Sequence, residues 1–299
     1  MNVLSLFDGM SCGQIALNKI GVTPNRYYAS EVDKYAIGVT RENYPNTIQL
    51  GDINNLEEWA LPKIDLLIGG SPCQDLSRIK SKDGEGLNGE KSKLFFKFVD
   101  CVVKFKPTYF LLENVLMNKE SEDIITELLG VEPIEINSGD FSAQDRKRLY
   151  WTNIPFSQEW TRSEAVLGDI MQGEDDIHSK YYYNEDLEVV NGTGKRVYGT
   201  MAKFFVGNGK RRMTDTTSRV YNPLFKCATL TAVSGGHQEK KVFVNGKIRK
   251  ITPLECERLQ TVPENYTATA SDSQRYKMLG NGWTVDVIAH IFKNIPTSR

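Results

Sequence analysis

Cys73 stands in Gly69-Gly70-Ser71-Pro72-Cys73-Gln74, where proline biases the preceding residue to extended geometry and stiffens a turn at a strand end. A thiol presented there can act as a nucleophile. An earlier turn reads Phe7-Asp8-Gly9-Met10-Ser11-Cys12-Gly13, and its glycines let the main chain approach a ligand while the helix start behind it favours a negative group. The Gly-x-x-x-Gly spacing lacks the Gly-x-Gly pair that seats a pyrophosphate, so a cofactor with a carboxylate and no phosphate suits it better. Glu31, followed by Val32, falls at the next strand end, where an acid can hold ribose hydroxyls. Asp52 and Ile53 follow the third strand and offer an acceptor and an apolar face to adenine. Each acid alone is more often a helix cap. Placed at three successive strand ends, they point to a nucleoside cofactor such as S-adenosylmethionine.

The elements that would position these residues alternate. Strands are expected at Val3–Phe7, Arg26–Ser30, Ile48–Leu50, Ile64–Ile68 and Tyr109–Leu112, and helices at Gln14–Ile20, Lys34–Glu42 and Leu94–Lys104. Such alternation predicts an α/β fold, a doubly wound and mostly parallel sheet that binds ligands at the carboxyl ends of its strands. Between about 165 and 250 the pattern gives way to short pieces at Tyr181–Tyr183, Phe204–Val206 and Lys241–Val244 with an Asn245-Gly246 turn, which predicts a smaller, mainly β domain. Helical character returns at Pro253–Gln260 and Val285–Phe292. Domains are expected at 1–165, 166–251 and 252–299, the last a segment returning to the first.

Composition bounds the function. With 299 residues, 40% hydrophobic and 25% charged, the chain has the makeup of a globular protein. No run approaches the roughly 18 apolar residues of a membrane span, and the N-terminus lacks the features of a secretory signal, so a cytoplasmic location is expected. The five cysteines are odd in number and scattered, as are the three histidines, which argues against a disulfide framework and a metal site. Net charge is -1, but residues 195–250 carry thirteen Lys and Arg against Asp215 and Glu239. A basic stretch of that length fits a polyanion partner.

Glu113-Asn114-Val115 ends the fifth strand, and Gln144-Asp145-Arg146-Lys147-Arg148 offers alternate side chains on one face if extended. With these pieces the chain resembles the DNA (cytosine-5)-methyltransferase family over nearly its whole length. The likeness runs in order through Phe7 to Gly13, Glu31, Gly51-Asp52-Ile53, Ser71 to Gln74, Glu113 to Val115, Gln144 to Arg148, Arg249 to Gln260 and Gln274 to Val285. The motifs look closest to the animal de novo branch without its regulatory domains, and a compact prokaryotic or phage enzyme is expected.

The resemblance implies a Rossmann-like, S-adenosylmethionine-dependent domain and methylation of cytosine carbon 5 in double-stranded DNA. It implies that Cys73 adds to carbon 6, that Glu113 acts at ring nitrogen 3 with a pKa raised by partial burial, and that Arg148 holds the exocyclic oxygen. Arg146 would orient the site, the two cations favouring the thiolate. Phe7, Asp8, Gly9, Gly13, Glu31, Val32, Asp52, Ile53, Pro72, Asn281, Gly282 and Trp283 would line the cofactor site, Trp283 replacing a commoner small residue. The target base must leave the stack, and residues 74–93, with Gln74 and Ser77, suit a lid and wedge. The 166–251 domain would read DNA, with Arg219, Thr229 and Gly236 on the backbone and the Lys210-Arg211-Arg212 run nearby. A restriction endonuclease is a candidate partner, and a monomer is expected.

Two other readings stay open. One is a tRNA cytosine-5 methyltransferase, against which stand Ser71, where that branch tends to carry proline, and the missing Cys-Phe-Thr mark. The other is a catalytically silent DNA-binding module, against which stand Cys73, Glu113 and Arg148, all present.

Overall fold

A computed structural model describes residues 1–71, 93–183, 189–191, 198–201, 219–233 and 238–295. The first half contains β1 (Asn2–Leu6), α1 (Cys12–Lys19), β2 (Arg26–Ser30), α2 (Lys34–Asn43), β3 (Ile48–Gln49), β4 (Leu66–Gly70), α3 (Lys93–Phe105), β5 (Tyr109–Asn114), α4 (Lys119–Leu129), β6 (Ile134–Asn137), β7 (Gln144–Asp145) and β8 (Lys147–Thr152). Beyond it come β9 (Val189–Asn191), β10 (Tyr198–Met201), β11 (Arg219–Tyr221), β12 (Cys227–Ala228), β13 (Lys241–Val244), β14 (Lys247–Lys250), α5 (Pro253–Leu259), α6 (Asp272–Asn281) and α7 (Val285–Phe292).

The chain forms two compact units. The first comprises Met1–Ser138, Lys147–Thr161 and Val285–Arg299, the second Gly139–Arg146 and Arg162–Thr284. In the first, a seven-stranded sheet has the order β3-β2-β1-β4-β5-β8-β6. Strands β1 to β5 are parallel, and β8 runs antiparallel to both β5 and β6. Val3, Leu4, Leu66, Leu67 and Leu111 are fully buried, as a sheet covered on both faces requires. Phe95, Phe98 and Cys101 recur on one face of α3 and pack with Leu4, Leu6, Leu67, Leu112 and Trp151 in the core.

Topology sets where ligands can bind. The chain winds outward from β1 through β2 to β3, then returns to place β4 on the other side of β1, which makes the β1/β4 boundary a switch point. Leu6 pairs with Gly69, so the chain leaves β1 and β4 at neighbouring strand ends.

The expected parallel sheet is present, with differences in detail. Strand β4 runs to Gly70 because Gly69 and Gly70 pair with Leu112 and Glu113. Glycine's low strand propensity hides such pairing in a sequence. Helix α4 and strands β6 and β8 went unread. The second unit holds a five-stranded sheet, β14-β13-β11-β10-β9, and the pair β12-β7. Asn245 and Gly246, at φ 47° and 78°, make the tight turn between β13 and β14 that the Asn-Gly pair predicts. Residues 252–284 pack with the second unit, and only the part from Val285 packs with the first. The reason is local: Tyr276 donates to the Ile251 carbonyl and Thr284 to Gln260 Oε1. Phe204–Val206 lies outside the described residues. No helix among the described residues is long and apolar enough to cross a membrane.

Candidate active site

In the first unit, the ends of β1, β2 and β3 are laced together by hydrogen bonds. The Gly9 amide donates to Glu31 Oε2 at 2.7 Å, and the Val32 and Asp33 amides donate to Glu31 Oε1 at 2.7 and 2.8 Å. Ser30 donates to the Gly51 carbonyl at 2.8 Å. Phe7, Gly9, Ser11 and Gly51 all have positive φ, so the chain turns sharply where these loops leave the sheet. A Cβ added at Gly13 would fall on Ile68 Cδ1 and lie 2.8 Å from Tyr27 Oη, so α1 approaches the sheet closely enough that a side chain there must displace the tips of these two residues. Phe7, Asp8, Gly9, Gly13, Glu31, Val32, Asp52 and Ile53 are thus all near these three strand ends. Asp52 caps the following turn by accepting from the Asn54 amide, and Ile53 is buried.

Asp8 differs from the other acids here. Tyr27 donates to its Oδ1 at 2.8 Å, while Oδ2 is buried with no hydrogen-bond partner among the described residues. Burial pushes the Asp8 carboxyl up to about 6, against hydrogen bonds from Ser5, Ser11 and Tyr27 that pull it down. Tyr27 has no motif to mark it and escaped the sequence reading.

These loops fit a nucleoside cofactor. Glu31 spends three acceptor positions on main-chain amides, and a carboxylate has about four, leaving one for a hydroxyl. Among the described residues, nothing lies within 4 Å of where a Cβ on Gly9 would stand.

At the end of β4, Ser71 is buried and accepts from Asn114 Nδ2 at 2.9 Å. This bond ties the residue that precedes Pro72 in the chain to the end of β5. Cys73 itself, with Pro72, Gln74, Ser77, Arg211, Arg212 and Gly236, lies outside the described residues, as does most of the expected lid at 74–93. One residue before Asn114, Glu113 pairs with Arg148, whose Nε is 2.9 Å from Glu113 Oε1. The four described cysteines, Cys12, Cys101, Cys227 and Cys256, are buried, and burial pushes the Cys101 and Cys227 thiols up to about 12. Such thiols are poor nucleophiles at neutral pH.

Arg146 is only 4% exposed and lies in the second unit, where it donates to the carbonyls of Leu230, Gly280 and Gly282. Asn281 ends α6, and Gly282 and Trp283 follow it in that unit, Arg219 opens β11, and Thr229 donates to the Asp145 carbonyl at 2.7 Å. Several cations of the basic stretch are used internally. Arg249 is fully buried against Glu255, Lys226 donates to the carbonyls of Ser142, Ser163 and Ala165, and Lys250 pairs with Glu239. The Thr252-x-x-Glu255 capping box was the signal that could have flagged Glu255.

Comparison with known proteins agrees with this architecture. The chain matches the family described as C-5 cytosine-specific DNA methylase over residues 1–297. It is 28% identical to the type II methyltransferase M.HhaI of Haemophilus parahaemolyticus, covering 100% of this chain and 95% of that protein. It is 25% identical to the orphan methyltransferase M.SPBetaI of Bacillus phage SPbeta, covering 99% and 97%. A prophage-encoded E. coli structure, described as a DNA modification methyltransferase, shares the fold at a TM-score of 0.69 and 19% identity, covering 98% of each chain. With a family match over essentially the full length and the fold to go with it, the chain belongs to the C-5 cytosine-specific DNA methylases and is a DNA (cytosine-5)-methyltransferase.

Proposed function

We propose that the enzyme methylates a flipped-out cytosine of double-stranded DNA through a covalent bond from Cys73. Cytosine carbon 5 is a poor nucleophile. Addition of the Cys73 thiolate to carbon 6 makes it enamine-like, and loss of the carbon 5 proton after methylation expels the thiolate and restores the ring. The observation that carries this reading is the Glu113–Arg148 pair on β5 and β8, one residue from the Asn114 that bonds Ser71, which precedes Cys73 by two residues in the chain. Glu113 would act at ring nitrogen 3 and Arg148 at the exocyclic oxygen, drawing electrons from carbon 6 as the thiolate adds.

The family implies S-adenosylmethionine, which supplies an electrophilic methyl group. Phe7, Asp8, Gly9, Gly13, Glu31, Val32, Asp52, Ile53 and Pro72 would hold it, with Glu31 on a ribose hydroxyl and Ile53 against the adenine. Asn281, Gly282 and Trp283 are assigned to the same cofactor by motif. Residues 1–165 would be catalytic, 166–251 would recognise the target with Arg211, Arg212, Arg219, Thr229 and Gly236, and Gln74 and Ser77 would lie on the wedge. The relatives include both a type II and an orphan methyltransferase, so a partner endonuclease is one arm of the test.

Bisulfite sequencing of DNA from a methylation-free bacterium that expresses the protein, beside Cys73→Ala, tests the proposal. Protected cytosines in one short context, absent with the variant, are expected. Methylation that survives Cys73→Ala would overturn the mechanism. Challenge of that DNA with nuclease from the native host tests for a partner.

A further inference from the structure

Gln144 and Arg146 alternate on one short extended segment, and both serve Leu230. The Leu230 amide donates to Gln144 Oε1 at 2.7 Å, and Arg146 Nη1 donates to the Leu230 carbonyl at 3.0 Å. The same guanidinium reaches the end of α6, donating to the Gly280 and Gly282 carbonyls at 3.4 and 3.1 Å. Carbonyls at a helix C-terminus lack intrahelical donors and favour a cation, so Arg146 meets both needs. Gln260 joins in: its Nε2 donates to the Leu279 and Gly282 carbonyls, and its Oε1 accepts from Gln144 and Thr284. Gln144 and Gln260 are fully buried. A second, independent feature is steric. A Cβ on Gly280 would fall on the Thr231 carbonyl and stand 2.5 Å from Ala232 N, so the helix end and the loop at 229–232 touch backbone to backbone.

We propose that Arg146 is a positioning residue that clamps the 229–232 loop to the Gly280–Gly282 turn, so that a DNA-side loop and a cofactor-side turn are set as one piece. The inference rests on the reading of those two segments given under Proposed function. It is an alternative to the expectation that Arg146 steadies the Cys73 thiolate, since three of its five donors go to main-chain carbonyls. A lysine does not reproduce this contact, since its donors radiate from one nitrogen, whereas the planar fork donates from Nη1 to Leu230 and Gly280 and from Nη2 to Gly282.

The test uses tritiated S-adenosylmethionine and unmethylated plasmid DNA with wild type, Arg146→Met, Arg146→Lys and Gly280→Ala, measuring kcat and both KM values. The pH dependence of Cys73 alkylation by iodoacetamide is followed on its peptide by mass spectrometry. Arg146→Met and Gly280→Ala should raise KM for cofactor and DNA together, by at least about tenfold for the lost charge-assisted bonds, with a smaller change in kcat. Arg146→Lys should not rescue, and the alkylation profile should not move. A fall in kcat at unchanged KM, with Cys73 alkylation shifted to higher pH, would overturn the clamp and return Arg146 to the thiolate. If Arg146→Met does not fold, Gly280→Ala decides alone, unchanged KM values counting against the clamp. A wild type that binds cofactor and methylates no DNA would instead overturn the functional reading beneath it.

Discussion

Arg148 Nε lies 2.9 Å from Glu113 Oε1, with the two side chains 14% and 11% exposed. They reach each other from antiparallel strands, because Glu113 pairs with Tyr150 and Asn114 with Leu149, which leaves Arg148 just beyond the last rung. Neither side chain can move far without losing the other. Glu113→Gln and Arg148→Met should each lower single-turnover methyl transfer by about 10²–10⁴-fold, the range for a positioned acid or base. The double variant should lose little more, since the pair acts as a unit. Additive losses would show that the two groups act separately.

Asp8 makes stability depend on pH. Its folded carboxyl sits at about 6 against an ordinary 3.8, so the folded state holds the proton more tightly than the unfolded chain. The stabilisation this gives is full below about 3.8 and is lost as pH rises through about 6. At neutral pH the ionised, buried carboxylate costs roughly 3 kcal/mol relative to acid conditions. Asp8→Asn, which cannot ionise, should gain in Tm relative to wild type between pH 4.5 and 7.5. A Tm difference independent of pH would refute the burial argument.

Arg249 and Glu255 form a bidentate pair at 2.8 and 2.7 Å, and both are essentially inaccessible. Glu255 also accepts from the Thr252 amide, so the pair fixes the start of α5. Removing either partner leaves a buried charge alone, and Arg249→Met or Glu255→Gln should destabilise by about 3–5 kcal/mol. Replacing both with apolar residues should cost far less. Urea unfolding of the three variants checks this ordering.

Gly13→Ala should pay for a close contact. The new methyl meets Ile68 and the Tyr27 hydroxyl, so it also disturbs the Tyr27–Asp8 bond. Overpacking of this kind costs about 1–3 kcal/mol. The urea midpoint should fall, and calorimetric titration with S-adenosylmethionine should show weaker binding. An unchanged midpoint would mean that α1 can shift without loss.

Much of the first unit was legible in the sequence because its strands and helices are marked by short-range signals. Strand β2 and helix α7 have the bounds the apolar runs predict, and Asn245-Gly246 forms its turn because two successive positive φ angles suit that pair. Strand ends at Phe7, Glu31 and Asp52 could likewise be placed, since a parallel sheet puts its loops at one edge.

The fate of Arg146 and Arg148 could not be read this way. Their spacing suggested two cations on one face, yet Arg148 joins Glu113 in the first unit and Arg146 joins three carbonyls in the second. Buried charge goes where partners are available, and those partners lie 35 or more residues away in the chain. The fold class, the strand-end loops and the family are legible in the order of the residues, because periodicity and motif order are local properties. Only the tertiary structure decided that Tyr27 backs Asp8, that Lys226 and Arg249 serve the interior, and that Gly280 rests on Thr231. Each of these is a contact between distant segments, fixed by the need to satisfy buried polar groups and to fill space.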